Sequence, residues 1–214
     1  MSIALQRSGT LFVLVAPSGG GKSTVLKALL EKVPGLAYSV SVTSRRPRPG
    51  EKEGQDFHYV SVREFQDMIE RKEFYEWAQV HGNFYGTRKE TVEELLKKGL
   101  DVGMDLDVQG ACAIKGMKRD AVTIFLLPPS MQTLEERLRG RDTDDDEVIA
   151  LRLTNAADEI ARCKLFDYLV VNKDLDEVIE EITGIVHAER NRSTRQKLLV
   201  EDEPKLTRHL DRTA

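Results

Sequence analysis

The residues Ala16-Pro-Ser-Gly-Gly-Gly-Lys-Ser-Thr24 have the types and spacing to bind phosphate. Gly19, Gly20 and Gly21 let backbone N–H groups close on phosphate oxygens with no Cβ in the way. A helix that starts at the end of this turn adds the partial positive charge of its N-terminus. Lys22 can then reach the β- and γ-phosphates of a nucleoside triphosphate, and the Ser23 hydroxyl can face the accompanying Mg²⁺. The strict pattern is G-x-x-x-x-G-K-[ST]. Here Ala16 stands at its first glycine, while Pro17, Ser18 and Thr24 fill out the loop.

Other groups able to do chemistry lie further along. Arg45, Arg46 and Arg48 fall within four residues, flanked by Pro47 and Pro49. A basic turn of this kind is ordinarily solvated. The prolines restrict its freedom, however, so less entropy is lost when the arginines clamp an anion. Asp105 and Asp107 end an apolar segment two residues apart, which places them on one face if the segment is a strand. The carboxyl edge of a parallel sheet faces its ligand crevice. Asp105 could there hold Mg²⁺ through water or pair with an arginine, and both remain open. Arg137 and Arg141, with Arg152 one helix later, add mobile positive charge.

The elements that must position these groups follow from the apolar pattern. Leu11–Val15 is a short buried strand ahead of the glycine-rich turn, and Thr24–Lys32 a helix. Tyr38–Thr43 alternates as a second strand, and Phe57–Val60 as a short one. Ser61 to Glu64 is a capping box for a helix to about Arg71. Phe74–Val80 is extended, followed by a turn over His81–Gly86. Lys89–Lys98 is a helix. Asp101–Asp107 and Ala121–Leu127 are strands. Ser130 caps a helix to Arg139, and Gly140–Asp146 is a polar loop. Glu147–Lys164 is a long helix, Tyr168–Val171 a last strand and Leu175–Arg192 a last helix. Strands alternating with helices give an α/β fold with a parallel sheet covered on both faces. The expected division is one domain over 1–214. Its core comprises about 8–44, 87–129 and 166–192, with an inserted small lobe at about 45–86, a helical lid at about 130–165 and a charged tail at 193–214.

The bulk numbers bound the partners. The chain of 214 residues carries a formal net charge of -4, which argues against a general nucleic-acid binder. A negative protein that holds negative nucleotides must concentrate its positive charge locally. Cys112 and Cys163 sit in no ligand spacing and are expected to be reduced thiols. The N-terminal segment is short and polar, with no signal pattern, and no apolar run approaches the roughly 20 residues that span a bilayer. The expected location is the cytoplasm, away from membranes. Nothing in the sequence points to a protein partner.

With 74–78 (Phe-Tyr-Glu-Trp-Ala), 82–87 (Gly-Asn-Phe-Tyr-Gly-Thr) and 105–110 (Asp-Leu-Asp-Val-Gln-Gly), the loop from Ser41 to Tyr59 resembles the guanylate kinases of the bacterial and yeast kind, over about Thr10 to Arg192. The resemblance implies a P-loop kinase that moves the γ-phosphoryl group of ATP, with Mg²⁺, to GMP, with dGMP as a further acceptor. It implies that Arg45, Arg48 and Tyr85 bind the GMP phosphate, and that Ser41, Glu76, Thr87 and Asp107 read guanine, with Asp105 nearby. Arg137, Arg141 and Arg152 neutralise the ATP phosphates, and Asn172 lies near adenine. Guanine presents N1–H and N2–H₂ side by side, and one ionised carboxylate such as Glu76 can accept both, with Ser41 and Thr87 hydroxyls donating to O6. Two positions depart from the family pattern. Asp142 stands where many relatives have Gly. Phe57 stands where relatives have a Tyr that contacts the GMP phosphate. The expectation is that this contact is absent, because residue 59 lies roughly 6–7 Å further along the strand. A non-catalytic scaffold of the same fold is disfavoured by the intact Lys22 and Ser23. A kinase for another phosphorylated acceptor is disfavoured by Glu76 with Thr87.

Overall fold

Leu11, Val13 and Val15 alternate with Phe12 and Leu14, and all five are at most 1% exposed. A strand buried on both sides must be covered on both faces, and the whole fold follows that demand. The computed structural model describes residues 2–80, 82–140 and 145–201. In chain order the elements are strand β1 (Ser2–Arg7), β2 (Leu11–Val15), helix α1 (Lys22–Lys32), β3 (Leu36–Tyr38), β4 (Val42–Thr43), β5 (His58–Tyr59), α2 (Val62–Glu70), β6 (Phe74–Val80) and β7 (Asn83–Arg88). Then come α3 (Lys89–Lys97), β8 (Asp101–Leu106), α4 (Val108–Met117), β9 (Val122–Leu127), α5 (Met131–Arg139), α6 (Asp146–Ala161), β10 (Tyr168–Val171), α7 (Leu175–Arg190) and β11 (Gln196–Glu201).

The main sheet is parallel throughout, in the order β10-β9-β2-β8-β3. Phe12 and Leu14 pack with Leu26 and Leu29 of α1 and Ile179 and Ile182 of α7. Leu11, Val13 and Val15 pack on the other face with Val92 and Leu96 of α3 and Ala111 and Ile114 of α4. The expected α/β sheet with helices on both faces is thus present.

A second sheet of order β5-β4-β7-β6 interrupts the alternation. It is mixed rather than antiparallel throughout, since β4 and β5 run parallel. Helix α2 covers it, capped by Ser61, whose side chain accepts from the Glu64 N–H. Phe65 stacks on Phe74 with ring centroids 4.5 Å apart. α5 and α6 pack on each other through Leu134, Leu138, Leu153 and Ala156.

Three sequence expectations are corrected, and the charged tail gains a strand. The single strand over Tyr38–Thr43 is two strands in two different sheets, because the chain leaves one sheet for the other at 39–41. Residues 83–86 of the turn expected over His81–Gly86 belong to strand β7, paired with β6 in a hairpin. Asp107 ends no strand: it caps α4, its carboxylate accepting the Gly110 N–H at 2.7 Å. The tail past Asn191 continues into β11, which pairs antiparallel with β1. No helix among the described residues is long and apolar enough to cross a membrane.

The N-terminal edge of the main sheet is closed by one carboxylate. Asp101, with its side chain 0% exposed, accepts from Arg7 Nη1 at 2.6 Å, Arg190 Nε at 2.7 Å and the Thr10 N–H at 2.7 Å. It ties β1 and α7 to the sheet at the end away from the phosphate loop. Removing one partner of such a buried cluster leaves the other charges uncompensated. Asp101→Ala is therefore expected to lower stability by about 3–5 kcal/mol, read as a lower urea midpoint at unchanged slope.

Candidate active site

The turn between β2 and α1 lies at the carboxyl edge of the parallel sheet, where crevices form in open α/β folds. Gly21 has φ +89, and a Cβ there would meet Asn172 Nδ2 at 2.6 Å. Gly19 has φ +81, and a Cβ there would meet the Leu138 side chain at 2.9 Å. Side chains at either position would be both strained and blocked. Ala16 is tolerated at the pattern's first glycine because its backbone is not in the left-handed region, which only Lys72 enters among the described non-glycine residues.

The loop is tied on several sides. Lys22 Nζ donates to the Ala16 carbonyl at 2.8 Å. Ser23 Oγ donates to Asp105 Oδ2 at 2.7 Å, joining α1 to β8. The partner of Asp105 here is thus the serine of the phosphate loop, which is neither of the two roles left open for it. Asn172 Nδ2 donates to the Gly20 carbonyl at 2.8 Å from the end of β10. Arg137 Nη2 donates to the Asn172 carbonyl at 3.1 Å. Asn172 is buried and braces the loop. Pro17 is buried, while Ser18 and Thr24 are exposed. Arg152 is half-buried on α6. Arg141 and Asp142 lie outside the described residues.

The second sheet presents the other half. β6 and β7 pair Glu76 with Thr87 and Ala78 with Tyr85, so Glu76, Tyr85 and Thr87 share one face. Thr87 Oγ1 donates to Glu76 Oε1 at 2.7 Å. The threonine proton therefore aims at the carboxylate rather than outward, as the sequence reading had it. Burial raises the Glu76 carboxyl above the usual glutamate range, the Thr87 bond pulls it back, and the Asp107 charge raises it further.

Arg45 Nη2 and Nη1 donate to the two oxygens of Glu51 at 2.8 and 3.0 Å. Tyr85 is within hydrogen-bonding reach of the same guanidinium. Arg48 is exposed, and its backbone N–H donates to Glu51 Oε2 at 2.7 Å. The Tyr59 hydroxyl donates to that oxygen at 2.8 Å, although the sequence reading assigned Tyr59 no role.

Three further groups were missed. Glu51 is the first carboxylate inside a basic loop, six residues after Arg45, and that sign contrast was its signal. Tyr38 bonds the Ser41 hydroxyl, and burial, together with the charges of Asp105 and Glu76, raises its phenol. Glu159 of α6 accepts the Ser18 N–H; burial raises its carboxyl against the pull of Lys22. Nothing in the sequence around Glu159 singles it out from a solvated helical face.

Taken together, Asp105 bonds Ser23 and acts on Tyr38, Tyr38 feels Glu76, and Asp107 acts on both Glu76 and Glu159. These groups lie between the edge of the parallel sheet, the second sheet and α6.

Comparison with known proteins covers about nine-tenths of the chain. The family model for guanylate kinase matches residues 8–189. A curated guanylate kinase of Paramagnetospirillum magneticum is 46% identical over 193 residues, covering 90% of each chain. One of Maricaulis maris is 47% identical, covering 92% of this chain and 90% of its own. The crystal structure of guanylate kinase from Anaplasma phagocytophilum matches with a TM-score of 0.71 at 38% identity, covering 90% of this chain and 92% of that one. A phosphate loop braced from β8 and β10, facing a carboxylate–threonine pair across one crevice, is thus carried by a chain that belongs to the guanylate kinase family.

Proposed function

We infer that the phosphate loop holds the donor and the second sheet the acceptor in the reaction of this family, in which ATP and GMP give ADP and GDP. The observation that carries this division is the Glu76–Thr87 pair, half-buried and facing the loop through Tyr38 and Asp105. Ionised Glu76 accepts N1–H and N2–H₂ of guanine, oriented by Thr87. Ser41 and Asp107 complete the base site, and dGMP fits it equally because none of these groups depends on a 2′-hydroxyl. Adenine would set the N1 lone pair against the carboxylate. Arg45, Arg48 and Tyr85 hold the acceptor phosphate.

On the donor side, the N–H groups of residues 16–24 cradle the ATP phosphates and Lys22 lies along the transferred group. Ser23 Oγ and Asp105 Oδ2 are hard oxygens 2.7 Å apart at the mouth of the loop. They suit Mg²⁺, which takes few protein oxygens and shares the rest with phosphate and water. When bound, that ion neutralises charge on the phosphate oxygens. Arg137, Arg141 and Arg152 stabilise the same charge from α5, α6 and the segment between them. Phosphoryl transfer is largely positioning and charge stabilisation, so these groups suffice without a covalent step.

We read 45–86 as the acceptor lobe and 130–165 as the lid. Leu134 and Leu138 lie against Gly19, and Arg137 holds the Asn172 carbonyl. These contacts tie α5 to the loop, as Glu159 ties α6 through the Ser18 N–H. Closure excludes water, which would otherwise take the phosphoryl group from ATP. We place the protein in the cytoplasm, where thiols such as Cys112 and Cys163 stay reduced.

A coupled assay tests the assignment. AMP is expected to be at least about 10³-fold poorer than GMP in kcat/KM, since adenine leaves a buried polar group unpaired. Comparable efficiency with AMP would overturn it. Lys22→Ala should remove most turnover while calorimetry still shows GMP binding, because the acceptor lies on a separate sheet. Near wild-type turnover in that variant would remove the loop from the reaction.

The raised Glu76 carboxyl gives a pH dependence. GMP binding needs the ionised form, so affinity should begin to fall, on acidification, at a pH above the ordinary glutamate value of about 4.3. Titrations of GMP affinity against pH should show that limb, and Glu76→Gln should bind weakly and without it.

A further inference from the structure

The loop between β4 and β5 does more than present arginines. A guanidinium has five N–H donors. In Arg45, Nη1 donates to the Arg46 carbonyl at 2.8 Å and to Glu51 Oε2 at 3.0 Å, and Nη2 donates to Glu51 Oε1 at 2.8 Å. Three N–H groups are fixed by these bonds. The two others, on Nε and at the outer position of Nη2, form the second fork of the guanidinium, on which Tyr85 also acts.

Glu51 is itself held. Besides Arg45, it accepts from the Arg48 N–H at 2.7 Å and the Tyr59 hydroxyl at 2.8 Å, both on Oε2. The Arg45 and Glu51 side chains are 13% and 20% exposed. Two rings line the arginine, its Cζ lying 5.4 Å from the centroid of Phe57 and 6.0 Å from that of Tyr59. The Arg45 bonds first, and then the Arg48 N–H, hold the Glu51 carboxyl down to about 2. Burial and the Glu51 bond raise the Tyr59 phenol, which therefore keeps its proton.

We propose that Tyr59 and Glu51 are positioning residues for the acceptor phosphate, closing one fork of Arg45 and leaving the other set to receive it. This rests on the reading of the second sheet as the acceptor site. The sequence expectation was that a phosphate contact is simply absent with Phe at 57. The structure puts a hydroxyl back two residues later, with a different task. Phe57 offers Arg45 a ring face, and Tyr59 acts on the phosphate only through Glu51 and Arg45.

The opposite role for Glu51 is also chemically reasonable: a carboxylate on Arg45 could compete with phosphate. The two make opposite predictions. If Glu51 positions Arg45, Glu51→Gln weakens GMP on the order of tenfold or more, and Tyr59→Phe by about 3–10-fold, the range for a single hydrogen bond. If Glu51 competes, both variants bind GMP more tightly.

The test is calorimetric binding of GMP, with guanosine inhibition and steady-state kinetics of the full chain alongside. Guanosine has the base and no phosphate, so it separates positioning of Arg45 from general damage to the sheet. The expected result is weaker GMP and a higher KM for GMP in both variants, with guanosine inhibition and KM for ATP within about twofold of the wild type. In an Arg45→Ala background, Tyr59→Phe should have no further effect. Unchanged or tighter GMP binding overturns the proposal. So does a parallel loss of guanosine inhibition, which marks a merely structural role. A wild-type chain that binds no GMP at all would fail the acceptor assignment itself, a result distinct from a variant that binds GMP as the wild type does.

Discussion

A loop of small residues can bind phosphate only if something other than its own side chains holds its shape. Here the neighbours do so. α5 presses Leu138 where a Gly19 side chain would be, Asn172 reaches from β10 to the Gly20 carbonyl, and Asp105 takes the Ser23 hydroxyl from β8. Each brace comes from a different part of the chain, and each requires the parallel sheet to be assembled first. The loop's preorganisation is therefore a property of the whole fold. The same braces explain why glycine is needed at 19 and 21 for space as well as for backbone angle.

Much of this was legible in the sequence, for identifiable reasons. β2 and β9 are short, apolar and bounded by turn residues, and buried parallel strands leave that mark. Ser61 and Ser130 stood at the N-caps the sequence indicated. The failures share a cause. α4 contains Gly110 and Gly116, which lower local helix propensity, and it forms because Asp107 caps it and Val108, Ala111 and Ile114 find the core. β7 has Gly86 in its middle, a turn signal locally, yet a Cβ there would meet Phe74 at 2.9 Å. Tertiary contact overrode local preference at both.

The site was legible by type and less so by pairing. Lys22, Ser23, Glu76 and Arg45 could be singled out because their chemistry has a distinctive sequence setting. Who holds whom could not be read, because charge alone does not fix partners. Glu51 on Arg45 and Thr87 on Glu76 are local in space but set by the register of two strands and a loop. A net charge of -4 is compatible with two anionic substrates because the acidic side chains nearest the site already have donors from the protein.

The ribbon of β1 and β11 joins the two ends of the described chain, with Leu5 opposite Leu198 and Arg7 opposite Gln196. β1 and β11 are separated by nearly the whole described chain, so β1 is synthesised long before its partner. Closing so long a loop before other contacts form is entropically unfavourable, and contacts of high sequence separation are made late. The parallel sheet and its phosphate loop can therefore be complete while β1 still waits. Its apolar Leu5, which remains 65% exposed even when paired, is uncovered throughout that interval. A strand that precedes the parallel sheet in the chain thus depends for its pairing on residues that follow the sheet.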